Sequence, residues 1–255
     1  MSVLDAFRLD GQVAIVTGAG AGIGRGIAEL FAQAGAAVVV GDLKAETAQG
    51  VVNGIHADGG KAIAVVCDVT NDAALEDLVN EAIAAFGKIT ILVNNAGGGG
   101  SKPFDMPMDT FIRAYKLNVF SVFHLCQLCA PHMEAAGGGA ILNISSMAGD
   151  NKNINMASYS SSKAAESHLT RNIAFDLGSK NIRVNAIAPG AIKTDALKTV
   201  LTPEIETMML KHTPVSRLGE PKDIAYAALF FCSPAASWVS GQVLTVSGGG
   251  VQELD

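Results

Sequence analysis

Short apolar runs rich in Val, Ile and Ala alternate with longer amphipathic stretches along almost the whole chain, and this alternation restricts the fold more than any other feature. Strands that are separated by helices pair in parallel, and a parallel sheet needs helices on both faces. The candidate strands are residues 13–17, 37–42, 62–67, 89–95, 139–146, 182–189 and 242–248, and the candidate helices are residues 22–34, 44–57, 72–86, 108–135, 157–179 and 221–232. The pattern predicts an α/β fold with a doubly wound parallel sheet of about seven strands.

The organisation of the chain predicts one domain over residues 1–255. A chain of 255 residues that is 49% hydrophobic can bury one large core. It contains no internal repeat, charge block or low-complexity linker that would mark a boundary. One long segment, residues 191–220, lacks a regular pattern. A segment of that length is usually functional, so we expect it to cover a bound substrate.

Charge and hydropathy argue against two classes of partner. The formal net charge is −6 at pH 7, and the basic residues are scattered, which disfavours binding to nucleic acid. No apolar run approaches the roughly 18 to 20 residues that a membrane-spanning helix needs. The N-terminal sequence MSVLDAFRLDGQ has neither a basic start nor an apolar export stretch. We therefore expect a cytoplasmic protein with no nucleic-acid or membrane partner.

Two of the four cysteines have a spacing that is compatible with a metal site. Cys126 and Cys129 form a CxxC pair, and His124 and His132 are close in sequence. The same segment, however, continues a helical apolar pattern from Phe111. Buried thiols on a helix account for the pair more simply, so the sequence predicts no metal site.

A glycine-rich loop, TGAGAGIG at residues 17–24, follows the first candidate strand. The strict GxGxxG pattern does not fit, because Ile23 and Arg25 stand at two of the critical positions. A strand, a glycine loop and a helix beginning at Arg25 nevertheless place backbone N–H groups and the positive end of a helix beside a pyrophosphate. This order is typical of a Rossmann-type dinucleotide site.

Asp42 closes the second candidate strand, where a carboxylate accepts hydrogen bonds from the adenosine ribose and repels a 2′-phosphate. The alternative is an N-cap for the helix that starts near Lys44, and both roles are compatible. Arg25 and Lys44 would weaken the repulsion. The position favours NAD over NADP, and Asp68 and Val69, after the third strand, would flank the adenine.

Tyr159 and Lys163 lie four residues apart in a helical pattern, so both side chains project from one face. Tyrosine is almost entirely un-ionised at neutral pH, and an adjacent ammonium group favours the phenolate that a general base requires. Ser146 ends the fifth candidate strand, where its hydroxyl would hold a substrate oxygen beside the phenol. The same spacing also occurs in ordinary amphipathic helices, but the strand end and the glycine loop favour catalysis.

These motifs occur together and in order, and over essentially its whole length the chain resembles the short-chain dehydrogenase/reductase family. The resemblance rests on TGAGAGIG at 17–24, NNAG at 94–97, Asn118, Ser146, YSSSK at 159–163 and the PG pair at 189–190. It implies that Tyr159 is the general acid/base and that Lys163 binds the nicotinamide ribose. It further implies that Ser146 orients the carbonyl group and that Asn118 supports a water relay. A homotetramer with NAD as its cofactor is the corresponding expectation.

The resemblance and the motifs together give a set of expected contacts. The predicted cofactor-binding residues are Gly18, Gly22, Ile23, Gly24, Asp42, Leu43, Asp68, Val69, Asn95, Tyr159, Lys163, Ile192, Lys193 and Thr194. The family resemblance implies that the last three contact the nicotinamide carboxamide. The predicted substrate contacts are Gly99, Ser146 and Tyr159, since the glycines at 97–100 leave backbone room beside the serine.

Three segments indicate a substrate class. GGGGSKPFDMPM at 97–108, DNKNINMASYSSSKAA at 150–165 and SGGGVQELD at 247–255 resemble bacterial members of the family that act on bile acids, which implies NAD-linked interconversion of a 7α-hydroxyl and a 7-oxo group. Apolar residues of the 191–220 segment would cover a flat hydrocarbon skeleton, or would instead pack on their own domain or on a neighbouring subunit. Two alternatives stay open: a reductase of a 3-oxoacyl thioester or sugar, and a non-catalytic NAD-binding sensor.

Overall fold

The computed structural model describes residues 2–152, 154–211 and 213–250, and its centre is a parallel sheet of seven strands. The strands are β1 (Val13–Thr17), β2 (Ala37–Asp42), β3 (Lys61–Val66), β4 (Ile91–Asn94), β5 (Gly139–Ile144), β6 (Ile182–Pro189) and β7 (Val243–Val246). They lie in the order β3-β2-β1-β4-β5-β6-β7, and neighbouring strands are parallel. The sheet therefore has a switch point between β1 and β4, where the carboxyl ends of the strands leave a crevice. The predicted doubly wound fold is confirmed.

Helices cover both faces of this sheet. They are α1 (Gly22–Gln33), α2 (Ala45–Ala57), α3 (Asp72–Phe86), α4 (Met108–Tyr115), α5 (Ser121–Ala135), α6 (Ala157–Gly178), α7 (Asp195–Lys198), α8 (Pro203–Leu210) and α9 (Pro221–Cys232), and short 3₁₀ turns form at Val3–Phe7, Met147–Gly149 and Pro234–Ala236. Buried side chains of α1, α2 and α9 form one core, and those of α3, α5 and α6 form a second core on the opposite face. On β1, Ala14 and Val16 belong to the first core and Ile15 to the second, as the alternating pleat of a strand requires.

Two strands end two residues earlier than the sequence predicts, for local reasons. β5 ends at Ile144, two residues early, because Ser146 leaves the sheet and its Oγ accepts a hydrogen bond from the Ala148 N–H at 3.1 Å. β7 ends at Val246, also two residues early, because Gly248 has a left-handed backbone with φ of +67°. The turn after β5 is what presents Ser146 to the carboxyl edge of the sheet.

The long helix predicted over residues 108–135 is divided by one wider turn. α4 passes into a π-helical turn at Lys116–Phe120, and α5 continues from Ser121 with a helical backbone. A π turn joins residues five apart, so it holds one residue more than an α turn, and such turns are frequent at functional sites. This one contains Asn118, whose side chain is completely buried.

The segment over residues 191–220, predicted without a regular pattern, contains α7 and α8. Thr194 and Thr202 start these helices, and each hydroxyl oxygen accepts a hydrogen bond from the backbone N–H three residues later, at 3.3 Å. A parallel bridge between Ile192 and Gly219 joins the two ends of the segment. The segment therefore forms a long loop after β6 whose two ends lie next to each other.

Within the described residues, no helix is long and apolar enough to cross a membrane. All seven strands share one sheet, and a single domain over residues 1–255 stays a prediction. Residues 1, 153, 212 and 251–255, which include most of the tail segment used above, lie outside the described part of the chain.

Gly24 and Gly50 allow one substitution to be compared in two helices. A Cβ atom at Gly24 would overlap the side-chain amide of Asn95 and the carbonyl oxygen of Gly18, whereas a Cβ atom at Gly50 would meet nothing within 4 Å. Gly24→Ala should therefore lower the midpoint of thermal unfolding. Gly50→Ala should raise the free energy of unfolding by about 0.5–1 kcal/mol, because alanine favours the helix. Calorimetry measures both effects, and a Gly24→Ala protein as stable as wild type would contradict this packing.

Candidate active site

A cleft of about 390 Å³ opens at the carboxyl ends of the central strands, beside the switch point of the sheet. Its walls come from the glycine loop after β1, the ends of β4, β5 and β6, and the start of α6. The predicted site residues that line it are Gly22, Ile23, Asn95, Ser146, Tyr159, Lys163, Ile192 and Thr194. Residues that are far apart in the sequence thus meet at one edge of the sheet.

The glycine loop presents the start of a helix to this cleft. Gly18 and Gly22 have left-handed backbones, with φ of +60° and +56°, which lets the chain turn directly from β1 into α1. The helix begins at Gly22 and not at Arg25, and its N-cap residue, Ala21, provides no side-chain hydrogen bond. Because Ala21 and Gly22 line the cleft, the positive end of α1 faces it. The residues present therefore fit the pyrophosphate of a dinucleotide.

Side-chain hydrogen bonds hold the glycine loop against the end of β4. Nδ2 of Asn95 donates to the carbonyl oxygens of Thr17 and Gly18, at 2.8 and 3.0 Å. The hydroxyl oxygen of Thr17 in turn accepts hydrogen bonds from the N–H groups of Asn95 and Ala96, at 3.1 and 3.0 Å. Asn95 therefore positions the loop as well as lining the cleft.

Asp42 lies at the end of β2, beyond the cleft wall, and its carboxylate is bound to protein groups. Oδ2 accepts a hydrogen bond from the Gly20 N–H at 2.8 Å, and Oδ1 accepts from the Lys44 N–H at 3.0 Å and the Thr47 hydroxyl at 3.3 Å. The alternative of a helix N-cap is wrong, because Lys44 is the N-cap residue of α2 and no side chain caps that helix. Asp42 instead joins the glycine loop to the end of β2.

The other residues predicted around the adenine also lie outside the cleft wall. Leu43 is 65% exposed, and Val69 is buried. The Asp68 carboxylate accepts hydrogen bonds from the hydroxyl and the N–H of Thr70, at 2.7 and 2.9 Å. The bond from the hydroxyl, above all, lowers the pKa of Asp68 below its usual value. Their roles toward a cofactor stay predictions.

Ser146 and Tyr159 line the cleft from two elements, the turn after β5 and the first turn of α6. The backbone at Gly99 passes close to the phenol ring, since an added Cβ atom there would lie 2.5 Å from Cδ2 of Tyr159. Gly99 also has a φ of +150°, a conformation that side chains disfavour. Glycine at this position therefore lets the backbone pack against the tyrosine ring. Gly99 does not belong to the cleft wall, and its contact with a substrate stays a prediction.

Lys163 is buried, with 4% of the residue exposed, and its ammonium group has defined partners. Nζ donates to the carbonyl oxygen of Ile144 at 2.8 Å and to Oε2 of Glu166 at 2.7 Å. The same atom lies beside Gly97, where an added Cβ would be 3.0 Å away. The charge of Lys163 is therefore held at the floor of the cleft, one helical turn from Tyr159.

Glu166 is a candidate functional residue that the sequence analysis missed. It is 1% exposed, and burial raises the pKa of its carboxyl group to about 7 despite the opposing effect of Lys163. The helical periodicity contains the signal, because positions 159, 163, 166 and 170 share one face. An acid on the same face as a functional tyrosine and lysine needs a partner when it is buried.

Asn118, in the π-helical turn, lies behind the cleft wall and is bonded to Gly98, which lines the cleft. Its Oδ1 accepts a hydrogen bond from the Gly98 N–H at 3.0 Å, and its Nδ2 donates to the Gly98 carbonyl oxygen at 2.9 Å and to the Ser162 hydroxyl at 3.0 Å. A Cβ atom at Gly97 would lie 3.0 Å from both Oδ1 of Asn118 and Nζ of Lys163. The structure thus brings Asn118 and Lys163 together, and the water relay stays a prediction.

The residues predicted to contact a carboxamide separate into two groups. Ile192 and Thr194 line the cleft, and a Cβ atom at Gly22 would lie 3.2 Å from Cγ2 of Thr194. Lys193 does not belong to the cleft wall, and its N–H donates to the carbonyl oxygen of Gly219 at 2.7 Å. Thr194 therefore packs over the glycine loop, while Lys193 ties the segment to its own far end.

The CxxC cysteines are core residues, as predicted. Cys126 and Cys129 are 3% and 0% exposed and pack in the core of α3, α5 and α6. Burial raises the pKa of the Cys126 thiol to about 12 and that of Cys129 further still. His124 lies beside Asp72, with Nδ1 and Oδ1 3.3 Å apart. Nowhere in the described residues do three His, Cys, Asp or Glu side chains come together as metal ligands.

Known proteins match the chain along almost its whole length. The family described as enoyl-(acyl carrier protein) reductase matches residues 18–250. The chain is 68% identical over 251 residues to 7α-hydroxysteroid dehydrogenase from Escherichia coli (strain K12), which covers 98% of each protein. It is 39% identical over 247 residues to 7α-hydroxysteroid dehydrogenase from Clostridium sardiniense, covering 95% of this chain and 94% of that protein.

A solved structure of 7α-hydroxysteroid dehydrogenase complexed with NADH and 7-oxo glycochenodeoxycholic acid has the same fold. The TM-score is 0.97 at 68% sequence identity, and the match covers 100% of both chains. The similarity therefore includes the segments that form the cleft.

The position of Asp42 predicts a cofactor preference. A carboxylate at the adenosine ribose repels a 2′-phosphate, so NADH should bind more tightly than NADPH. Asp42→Asn removes the charge but keeps an acceptor for the Gly20 N–H. The Kd for NADPH divided by the Kd for NADH should therefore fall by about tenfold, which corresponds to about 1.4 kcal/mol. Asp42→Ala should relax the preference as well. Fluorescence titration with both cofactors measures these ratios, and equal Kd values in the wild type would reject the assignment.

Proposed function

The chain belongs to the short-chain dehydrogenase/reductase family, and on this premise we propose that it interconverts the 7α-hydroxyl and 7-oxo groups of bile acids with NAD as its cofactor. The observation that carries the proposal is the 68% identity to the Escherichia coli enzyme over 98% of both proteins. Loops that select substrates vary more among relatives than the elements they connect. An identity that extends over the whole chain therefore supports the same substrate class.

The ligands of the solved structure support the same choice. That protein is described with NADH and a 7-oxo bile acid, and its fold matches the present one along both chains. A bile acid has a flat apolar skeleton, which needs an apolar cover. Val200 and Met208, in the segment that follows β6, are 61% and 68% exposed. We assign this segment to cover the steroid.

We assign the parts of the cofactor to the cleft and to the adjacent end of β2. In our proposal the pyrophosphate binds at the N-terminus of α1, Asp42 accepts hydrogen bonds from the adenosine ribose, and Lys163 holds the nicotinamide ribose. Ile192 and Thr194 contact the carboxamide. Bound NAD supplies the hydride acceptor for oxidation, and NADH supplies the hydride donor for reduction.

We assign the transfer of the hydroxyl proton to side chains that lie in and behind the cleft wall. Tyr159 takes the proton of the 7α-hydroxyl during oxidation, while the Ser146 hydroxyl holds the substrate oxygen in place. The ammonium group of Lys163 favours the phenolate form that this step requires. Asn118, beside Lys163, supports a water relay that carries the proton onward.

The description of the matched family points to a different substrate, an acyl thioester on a carrier protein. Members of one fold family act on many substrates, so the family description does not select among them. A carrier protein is acidic and would favour a basic rim, whereas this chain carries a net charge of −6. A sensor without catalysis would not need the arrangement of Ser146, Tyr159 and Lys163.

We also propose that the chain forms a homotetramer, as the family resemblance implies. Large aromatic side chains on the outer surfaces of the π-helical turn, α5 and α6 are exposed in the single chain: Phe120 is 57% exposed, Phe123 43% and Phe175 92%. Exposed apolar groups on neighbouring elements are typical of protein interfaces. A cytoplasmic location stays a prediction.

The substrate assignment predicts stereospecific oxidation. The hydride and the hydroxyl proton must leave toward fixed groups, so a 7α-hydroxy bile acid should be oxidised with NAD and its 7β epimer should react at least about a hundredfold more slowly. The rate should rise with pH as phenolate forms. Absorbance of NADH measures turnover, and deoxycholic acid, which lacks a 7-hydroxyl, is the matched control. Oxidation of other alcohols alone would reject the bile-acid substrate and keep the reaction type.

The role of Tyr159 predicts that its replacement impairs proton transfer but not cofactor binding. Tyr159→Phe keeps the ring and its packing, so NADH should bind with a similar Kd, while kcat should fall by about 100- to 10,000-fold. Tyr226→Phe is the matched control, because Tyr226 is 60% exposed on α9, away from the cleft wall. Substantial turnover by Tyr159→Phe would refute the assignment of the general acid/base.

A further inference from the structure

Lys163 and Glu166 place two opposite charges in the interior of the protein. The side chains are 5% and 1% exposed, and Nζ and Oε2 are 2.7 Å apart. Moving a charge from water to a protein interior is costly unless a partner offsets it. Binding a ribose hydroxyl requires only the ammonium group, which leaves the buried carboxylate without a role in that contact.

The other groups around Glu166 are neutral. On α5, the Cys126 thiol lies within its electrostatic influence and stays protonated, because burial raises its pKa to about 12. The Thr170 hydroxyl, on the next turn of α6, donates to the backbone carbonyl oxygen of Glu166, and the Asn94 amide of β4 donates to the Cys126 sulfur; both groups are neutral. Among the described residues, Lys163 is therefore the charge that Glu166 meets directly.

Glu166 also determines the orientation of the ammonium group. One N–H of Lys163 is donated to the Ile144 carbonyl oxygen and one to Glu166. Because Lys163 lines the cleft, its third N–H is left for a ligand there. Without the carboxylate, one of the two anchors of Nζ is lost.

We propose that Glu166 is a positioning residue for the reaction: it anchors the Lys163 ammonium group at the cleft floor and, by gaining or losing a proton, sets how much positive charge reaches Tyr159 and the cofactor. This role presupposes the NAD-linked reaction proposed above, because Glu166 acts only through Lys163.

The ionisation of Glu166 then changes the net charge of the pair. Its pKa is raised to about 7 by burial. Below that pH the carboxyl group is neutral and the pair carries one positive charge, which favours the phenolate of Tyr159. Above that pH the carboxylate offsets this charge. Ionised Glu166 thus weakens the electrostatic effect of the lysine on the tyrosine.

The pH dependence of turnover tests this role. Glu166→Gln removes the charge and keeps an oxygen that accepts a hydrogen bond from Nζ. The rise of kcat/KM for bile-acid oxidation with pH should move to lower pH, by about half a unit to one unit, because the variant lacks the negative charge that offsets Lys163. A purely structural role would lower kcat equally at every pH, and a rise of kcat/KM at the same pH as in the wild type would overturn the proposal.

NADH binding gives a readout that does not depend on turnover. At pH 6, where Glu166 is largely neutral, the wild type and Glu166→Gln should bind NADH within about twofold of each other. At pH 9 the variant should bind NADH several-fold more tightly, because the pair then keeps the positive charge that the ionised Glu166 offsets in the wild type. Fluorescence titration measures both, and an equal ratio of Kd values at the two pH values would contradict the proposal.

Glu134→Gln is the matched control. It removes a glutamate whose Oε2 also lies 2.7 Å from a lysine Nζ, that of Lys180, at the surface, where the side chains are 50% and 38% exposed. The pH dependence of kcat/KM and the Kd for NADH should stay unchanged in this variant, because exposed ion pairs contribute little to stability.

A second variant keeps the test decisive if Glu166→Gln does not fold. Glu166→Asp retains the charge but moves it one methylene away from Nζ, so the rise of kcat/KM should shift in the same direction by less, and an unshifted rise would again overturn the role. If NADH binds but no bile acid is oxidised, the proposed substrate fails, and the NADH titration still decides the role of Glu166.

Discussion

A chain of buried hydrogen bonds from the middle of the sheet fixes the position of α6. Asn94 on β4 donates to Oδ1 of Asn143 on β5 at 2.8 Å, and Nδ2 of Asn143 donates to the Thr170 hydroxyl at 2.9 Å. These residues are 3%, 0% and 0% exposed. Leaving one such group unpaired costs about 1–3 kcal/mol, so α6 cannot slide along the sheet without breaking several bonds. Because α6 carries Tyr159 and Lys163, the geometry of the cleft depends on this chain.

Two positively charged groups face the cleft, although the protein as a whole is acidic. The N-terminus of α1 lies on one side and the Lys163 ammonium group on the other, while the chain as a whole has a net charge of −6. Each positive centre has a carboxylate near it, Asp42 at the glycine loop and Glu166 behind the lysine. These acids hold the surrounding backbone and side chains in place, and they offset the positive field that favours an anionic ligand.

The fold could be predicted from the sequence because apolar periodicity and strand-end residues are local signals. β1, β2 and β6 have the predicted boundaries, and the meeting of strand ends explains why Ser146, Tyr159 and Lys163 reach one cleft. What was missed depends on contacts between elements. Helical periodicity predicts the face of α6 on which Glu166 lies, but it does not predict the ion pair with Lys163. The roles of the cleft residues depend on bound ligands, whose positions cannot be predicted from a sequence pattern.

The π-helical turn at Lys116–Phe120 makes the length of this part of the chain as important as its composition. Deleting one residue from the turn would permit regular α-helical bonding, but would rotate α4 against α5 by about 100°. Phe111 and Tyr115, whose rings stack with centroids 5.1 Å apart, would then swing away from their present positions. Asn118 would lose its register with Gly98. This stretch therefore accepts side-chain replacement at its exposed positions more readily than the loss of a single residue.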